Sequence, residues 1–296
     1  MNIKSQIEKL IQNSQTEIIY DASNGNKPAD EIERIQRWKD INKERKAEIV
    51  KVNARGKIYN SSKYGNYQTV DYLLQHEYLI KQKNNLYVEE RSEKRRATFL
   101  NGVLQKDEAI AERGVEREHK KEKIERYKSN DSKRFYYNRM RAVQYAENWW
   151  NTYNSKYKKF ENDCTNFISQ CLHEGGAPIY GMPNRSKGWW YTNNNWSYSW
   201  SVANALMWFL ASSEKGLQAK EVTSAEQLIP GDVICYDFDG DGNWQHNTIV
   251  VAKDTNNMPL VNAHSTNSRM RYWEYKDSHA WTPKVKYKFY HIIDDH

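Results

Sequence analysis

The sequence predicts an α+β protein in two parts. A smaller helix-plus-antiparallel-sheet domain occupies residues 1–130, and residues 131–296 form a larger domain with helices first and an antiparallel sheet afterwards. Three observations predict this. Apolar residues recur at helical spacing over 28–49, 136–150 and 202–212, and the segments that follow the first and last of these turn to strand-like patterns. Of 11 Trp, only Trp38 precedes residue 149. Residues 1–130 hold 27 Lys/Arg against 21 Asp/Glu, whereas residues 131–296 hold 18 against 17. Charge belongs to the first part and aromatic core to the second. The polar break Ser129-Asn130-Asp131-Ser132, after a charged run, marks the boundary. At 296 residues the chain is long enough for two cores.

In the first part, Ile32, Ile35, Trp38 and Ile41 give the helix over 28–49 its apolar stripe. Val50–Arg55, Tyr72–Ile80 and Leu86–Arg91 read as successive antiparallel strands, the last two joined at Lys83-Asn84-Asn85. Residues 105–128 are strongly charged and read as a solvated helix or a long edge strand. Acids interleave with bases, which is the pattern of a mixed-sign solvated face. The net positive charge suits contact with polyanions such as teichoic acid (a polyanionic wall polymer), nucleic acid or an anionic surface. No nucleic-acid recognition motif is evident, so no nucleic-acid partner is expected. No run of apolar residues is long enough for a transmembrane segment, and the opening residues lack the apolar core of a secretory signal peptide. As written the chain reads as cytoplasmic; removal of a leader would place it at the cell wall or outside.

The chemistry lies in the second part. After the helix over 136–150, Asp163-Cys164-Thr165-Asn166-Phe167 begins a helix that ends at Gly175-Gly176, with Asp163 as N-cap. Phe167, Ile168, Cys171 and Leu172 form its apolar face. A thiol in the first turn of a helix sits at unpaired N–H groups and a partial positive charge, which predicts a depressed pKa and a nucleophile. Three cysteines (164, 171 and 235) cannot form a disulfide framework, so the thiols read as reduced. Leu228-Ile229-Pro230-Gly231-Asp232 turns into the strand 233–236. An acidic turn, Asp237 to Gly242, precedes His246 and the strand 248–252, and a further strand covers 260–264. Cysteine chemistry needs a base and a group that orients it. His246, opening a strand, is the candidate base. Asn262 and His264, two apart and so on one face of the next strand, are the candidates to orient it.

Asp237, Asp239, Asp241 and Gly242 match the opening of a calcium loop, but Thr248 stands where the twelfth-position glutamate belongs. A solvated hairpin turn is the plainer reading, with a structural Ca²⁺ on the three aspartates as the alternative and no other cofactor expected. Trp189, Trp190, Trp196 and Trp200 surround Asn193-Asn194-Asn195. Such density serves either a core or a glycan- or peptide-binding cleft, and Trp189, Trp190 and Trp200, with Asp163, are the candidate substrate contacts.

Residues 136–292 resemble the putative amidase domain family, papain-like relatives of the NlpC-type and CHAP cell-wall cysteine hydrolases. The resemblance rests on Tyr137-Asn138-Arg139, the run Asp163 to Gln170, Gly175-Gly176 and Trp189-Trp190-Tyr191. It continues through Ser199-Trp200, Pro230-Gly231-Asp232 and the stretch Asp237 to His246. It implies a papain-like fold with Cys164 as nucleophile and His246 as base, a His or Asn on the next strand (Asn262 fitting best), and amide bonds of peptidoglycan stem peptides or crosslinks as substrate. Two alternatives remain at this point: a silent cell-wall-binding module that keeps the fold, and an amidohydrolase or acyltransferase acting on a protein.

Overall fold

Strands in the first half are far longer than their apolar alternation suggests, because two-residue turns let them run on as hairpins. A computed structural model describes residues 2–20, 29–110 and 135–294. The expected boundary at 129–132 and the charged run beyond residue 110 lie outside the described residues. The chain divides into two units, and the segments Thr266–Arg271 and Tyr275–His279 belong with the first.

In the first unit, helices α1 (Ile3–Tyr20) and α2 (Ala29–Glu44) precede strands β1 (Ala47–Tyr64), β2 (Tyr67–Gln82), β3 (Asn85–Leu100) and β4 (Val103–Ala109). All four strands pair antiparallel with their chain neighbours. Asn101 and Gly102 both take positive φ (51° and 77°), the two-residue hairpin geometry for which Asn-Gly is suited. Ile7 of α1 packs on Val70, Tyr72, Leu74, Ala97 and Phe99, while Trp38 of α2 and Ile18 pack on Val52, Tyr78 and Ile80.

The expected solvated charged face is met only in part, because some of the charges are internal. Glu31, Asp71, Glu89 and Arg95 are all buried. The Arg95 guanidinium binds Glu31 at 3.2 Å, Glu93 at 3.1 Å and Asp107 at 2.8 Å. Burial alone would raise the Glu93 pKa, but Arg34, His279 and Arg95 around it outweigh that and hold it well below the usual range. Arg91 pairs with Glu89 and Asp277, and Arg271 with Asp277. Interleaved signs suggest a water-facing surface, but around Arg95 and Arg91 they are internal pairing.

The second unit contains α3 (Arg139–Trp149), α4 (Cys164–Glu174), the short pair β5 (Tyr191–Thr192) and β6 (Asn195–Trp196), α5 (Tyr198–Ser201) and α6 (Ala203–Ser212). Strands β7 (Ala219–Val222), β8 (Val233–Asp237), β9 (His246–Lys253) and β10 (Pro259–Ala263) follow. Strand β11 (Ser268–Tyr272), which through Arg271 belongs with the first unit, pairs Ser268 and Arg269 with Arg91 and Glu90 of β3 within that unit. The last strand is β12 (Lys286–Ile292), and the sheet of the second unit runs β7-β12-β8-β9-β10, all antiparallel. The architecture is therefore mixed α+β with antiparallel sheets.

Asn138 caps α3 by accepting from the Arg141 N–H at 2.9 Å. Arg139 Nη1 reaches Asp232 at 2.6 Å, and the Tyr137 hydroxyl donates to Gly231 O at 2.8 Å. Gly231 (φ +95°) lies so close that a Cβ would meet the Tyr137 hydroxyl and the Arg139 side chain at 3.2–3.3 Å. The Tyr-Asn-Arg and Pro-Gly-Asp motifs thus fasten the start of α3 to the turn that launches β8.

Candidate active site

The α4 helix is buried on all sides from Cys164 to Leu172, which requires every polar side chain on it to find a partner. Thr165 Oγ1 donates to Asn247 Oδ1 at 2.9 Å, and Asn166 Nδ2 donates to Lys158 O at 2.9 Å and Asp163 Oδ1 at 3.0 Å. Ser169 Oγ donates to Trp200 O at 2.9 Å, and Gln170 Oε1 accepts from the Tyr145 hydroxyl at 2.6 Å. The polar letters of the Asp-Cys-Thr-Asn-Phe-Ile-Ser-Gln run are therefore a closed internal network.

Cys164 is the first residue of α4, and its side chain is enclosed, with 5% of the residue exposed. Its thiol pKa is raised, not depressed as expected from the helix terminus. Burial is the dominant cause; hydrogen bonds from Thr165 and from the Asn247 backbone oppose it without overcoming it, and the nearby Asp163 carboxylate adds to the rise. The Asn247 contact joins the start of α4 to the start of β9. His246 is the residue immediately before it, the first of β9. Its ring packs against Tyr236 (centroids 5.6 Å apart) and Phe238 (6.2 Å), and Tyr236 is its cross-strand partner. Asn247 faces the other way, toward Thr165 and Cys235, donating from Nδ2 to Cys235 Sγ at 3.0 Å.

The two candidates for orienting the base are committed to the helices. Asn262 stands opposite Ile249, and its Nδ2 donates to Glu147 Oε1 at 2.8 Å and Ala146 O at 3.4 Å on α3. His264 holds the Asp163 carboxylate at 2.7 Å through Nδ1 and the Trp149 carbonyl at 2.7 Å through Nε2, and stacks on Phe167 at 4.0 Å. A carbonyl only accepts, so Nε2 carries a proton. Asp163 Oδ1 already accepts from Phe160 N and Asn166 Nδ2. Both ring nitrogens of His264 are occupied.

Three further expectations are corrected. Asp163 sits at the N-cap position, but its side chain makes no capping bond and turns instead to His264, Asn166 and Phe160 N, and it is buried. Trp189, Trp190 and Trp200 are fully buried core residues. Trp189 and Trp200 lie 4.8 Å apart and donate to Ser169 Oγ and Asn166 Oδ1, both at 2.9 Å. Of the four tryptophans, only Trp196 is half-buried. The acidic turn is closed by its own backbone: the buried Asp237 carboxylate accepts from the N–H groups of Gly240, Asp241 and Gly242 at 2.8–3.2 Å. Asp239 accepts from Gln245 Nε2, and Asp241 from Asn243 N. The three carboxylates do not converge, and among the described residues no group of three acidic, His or Cys side chains is placed to hold a metal.

Thr165 and Asn247 were missed from the sequence. Strand alternation carried a signal: His246 and Asn247 must face opposite sides of β9, so at most one of them turns its side chain toward α4.

A shallow cleft lies beside this region, lined by Tyr153, Tyr157, Lys158, Lys159, Asn166 and His264 among others. Lys159 Nζ stands 3.8 Å from the centre of the Tyr153 ring.

With this geometry in place, comparison defines the class. Residues 136–290 match the family described as "Putative amidase domain", and the chain belongs to that family. Among relatives, Uncharacterized protein YhbB of Bacillus subtilis (strain 168) is 46% identical over 273 residues, covering 90% of this chain and 88% of that protein. Uncharacterized protein YjcM of the same organism is 30% identical over 135 residues, covering 43% of this chain and 30% of that protein. No solved structure matches. No helix among the described residues is long and apolar enough to cross a membrane.

Proposed function

We propose that the second unit is a papain-like cysteine amidase or peptidase that cleaves amide bonds in peptidoglycan stem peptides or crosslinks. The observation that carries this reading is the seating of Cys164 at the first position of α4, beside Thr165, whose hydroxyl donates to Asn247, the residue next to His246 at the start of β9. Cys164 attacks the amide carbonyl and forms an S–C bond. The oxyanion is met by the Cys164 backbone N–H at the helix start. For His246 to take the thiol proton and deliver it to the leaving amine, its ring must turn from Tyr236 and Phe238 toward α4; water then hydrolyses the thioester. His264, locked between Asp163 and Trp149, holds the residue before the nucleophile in place. The raised thiol pKa means that the thiolate must form as substrate displaces water and His246 accepts the proton, not in the resting protein.

Purified peptidoglycan digested with the full chain should show new amine and carboxyl ends by mass spectrometry. Cys164→Ala and His246→Ala should each abolish them. Hydrolysis retained by Cys164→Ala would end this reading.

The enclosure of Cys164 and its raised pKa favour a second reading, a wall-binding module without turnover. It predicts no new ends, and muropeptide binding that Cys164→Ala leaves unchanged.

A further inference from the structure

We propose that the outer face of the β1–β2 hairpin is a docking surface for a linear polyol-phosphate polymer, a repeating phosphodiester polyanion. This surface belongs to the first unit and stands or falls independently of the amidase reading.

The first half as a whole mixes its charges, but one stretch does not. Residues 49–70 carry Lys51, Arg55, Lys57 and Lys63 and no Asp or Glu. They form most of β1, the turn and the start of β2. Side-chain direction follows from packing. Val52 and Ala54 face the helices, and a Cβ on Gly56 would run into the Ile11 side chain of α1 at 2.3 Å. Alternation then sends Lys51, Arg55 and Lys57 to the opposite face, where all three are exposed. On β2, Val70, Tyr72 and Leu74 are buried toward α1, so Tyr67, Thr69 and Asp71 share the lysine face. Tyr64 lies opposite Tyr67 in the register and joins them. The result is a row of cations on an edge strand, ending in two tyrosines at the hairpin tip. Tyr64 is 89% exposed and Tyr67 54%, and Tyr59 beside the row is 51% exposed.

Most acids of this face are already engaged, the exception being the exposed Glu48 near the start of β1, opposite Lys81 in the register. Asp71 accepts from Arg96 at 2.6 and 2.9 Å and from Asn60 at 3.1 Å, Glu77 stands 3.6 Å from Arg55, and Glu108 pairs with Lys106 at 2.6 Å. Among the described residues, Lys51 and Lys57 pair with no carboxylate. Lysines on an edge strand also discourage strand-to-strand aggregation. That role does not account for three large tyrosines held in water beside them, since exposed aromatics promote association. Tyrosine faces and hydroxyls suit a polyol backbone, and ammonium groups spaced along a strand at multiples of about 7 Å suit repeating phosphates. Ser62 and Thr69, bonded to each other at 2.7 Å, and Gln68 surround the tip with neutral polar groups. The tip carries no Trp, Phe or Leu of the kind that inserts into lipid.

The test is binding of the full chain to poly(glycerol phosphate) of defined length across a salt series, by calorimetry. Binding should weaken steeply with salt. Lys51→Gln with Lys57→Gln should lower affinity about tenfold and reduce the log–log salt slope by about 1.4, roughly 0.7 for each lost phosphate contact. Tyr64→Ser with Tyr67→Ser should lower affinity several-fold with the slope unchanged. The control pair Lys4→Gln and Lys9→Gln, exposed on α1, should change affinity little, and circular dichroism confirms that each variant folds. Equal losses in the hairpin and control pairs would overturn the proposal. So would salt-independent binding, or tighter binding to single-stranded DNA or to phosphatidylglycerol vesicles.

Discussion

The two units solve the same burial problem with opposite chemistry. In the first, a large part of the interior is ionic, with Arg95 held by Glu31, Glu93 and Asp107, and Arg91 and Arg271 gathered on Asp277. In the second, the interior around α4 is aromatic and neutral-polar, with Trp189, Trp190 and Trp200 at its centre. A buried ion pair recovers its desolvation cost only through precise geometry, whereas a buried tryptophan contributes through area and contacts. The first unit should therefore be sensitive to single charge deletions and to pH, and the second to lost volume and lost hydrogen bonds.

The sharpest test of that contrast is Arg95. Arg95→Met strands Glu31 and Asp107 without their cation and should cost about 3–5 kcal/mol in denaturant unfolding. Adding Glu31→Gln and Asp107→Asn should return most of it. Trp189→Ala should cost about 3–5 kcal/mol as well, through the cavity it leaves, and no neutralising substitution should restore it. If the charge triple variant is no more stable than Arg95→Met, the ionic account of the first core fails.

His76 gives the pH version. Burial first, then Arg91, Arg95 and Arg34, push its pKa down to about 3, against the pull of Glu93. Below the ordinary value of 6.5 the unfolded chain binds a proton that the folded chain refuses until about pH 3. Stability of the first unit should thus fall as pH drops through that window, by an amount of order 2–4 kcal/mol. His76→Gln should flatten this dependence when midpoints are compared at several pH values. In the second unit, Thr165→Val leaves Asn247 Oδ1 without its donor and should cost about 1–2 kcal/mol. The smallest signal concerns the thiol itself. Alkylation of Cys164 by iodoacetamide should be slow at neutral pH and accelerate only above the usual thiol range; rapid labelling at pH 6 would contradict the raised pKa.

How much of this was legible in the sequence follows from what periodicity encodes. α3, α4, β8, β9 and β10 were readable because each has an apolar pattern of its own length. α1 was not identified, and β1 to β3 were read as short, because exposed polar residues beyond residue 55 break the alternation while cross-strand hydrogen bonds continue. The site was half legible. The starts of α4 and β9 are adjacent, through Thr165 and Asn247, but the His246 ring lies on the other side of the strand with Tyr236 and Phe238. Aromatic density marked Trp189, Trp190 and Trp200 as important but says nothing about which side of a surface they occupy. Asp163 had the composition of a cap, yet a competing partner 101 residues away in the chain, His264, claims its carboxylate. Long-range pairings of this kind leave no local trace.

The His264 ring links three places remote in the chain: the end of α3 at Trp149, the entry to α4 at Asp163, and the exit from β10. Asp163 N also donates to Ser265 Oγ at 3.0 Å, so the entry is tied to the exit twice. Such a joint behaves as a rivet through three plates. Hydrogen exchange at these separate segments should proceed as a single opening event, and removing the imidazole should set all of them loose together.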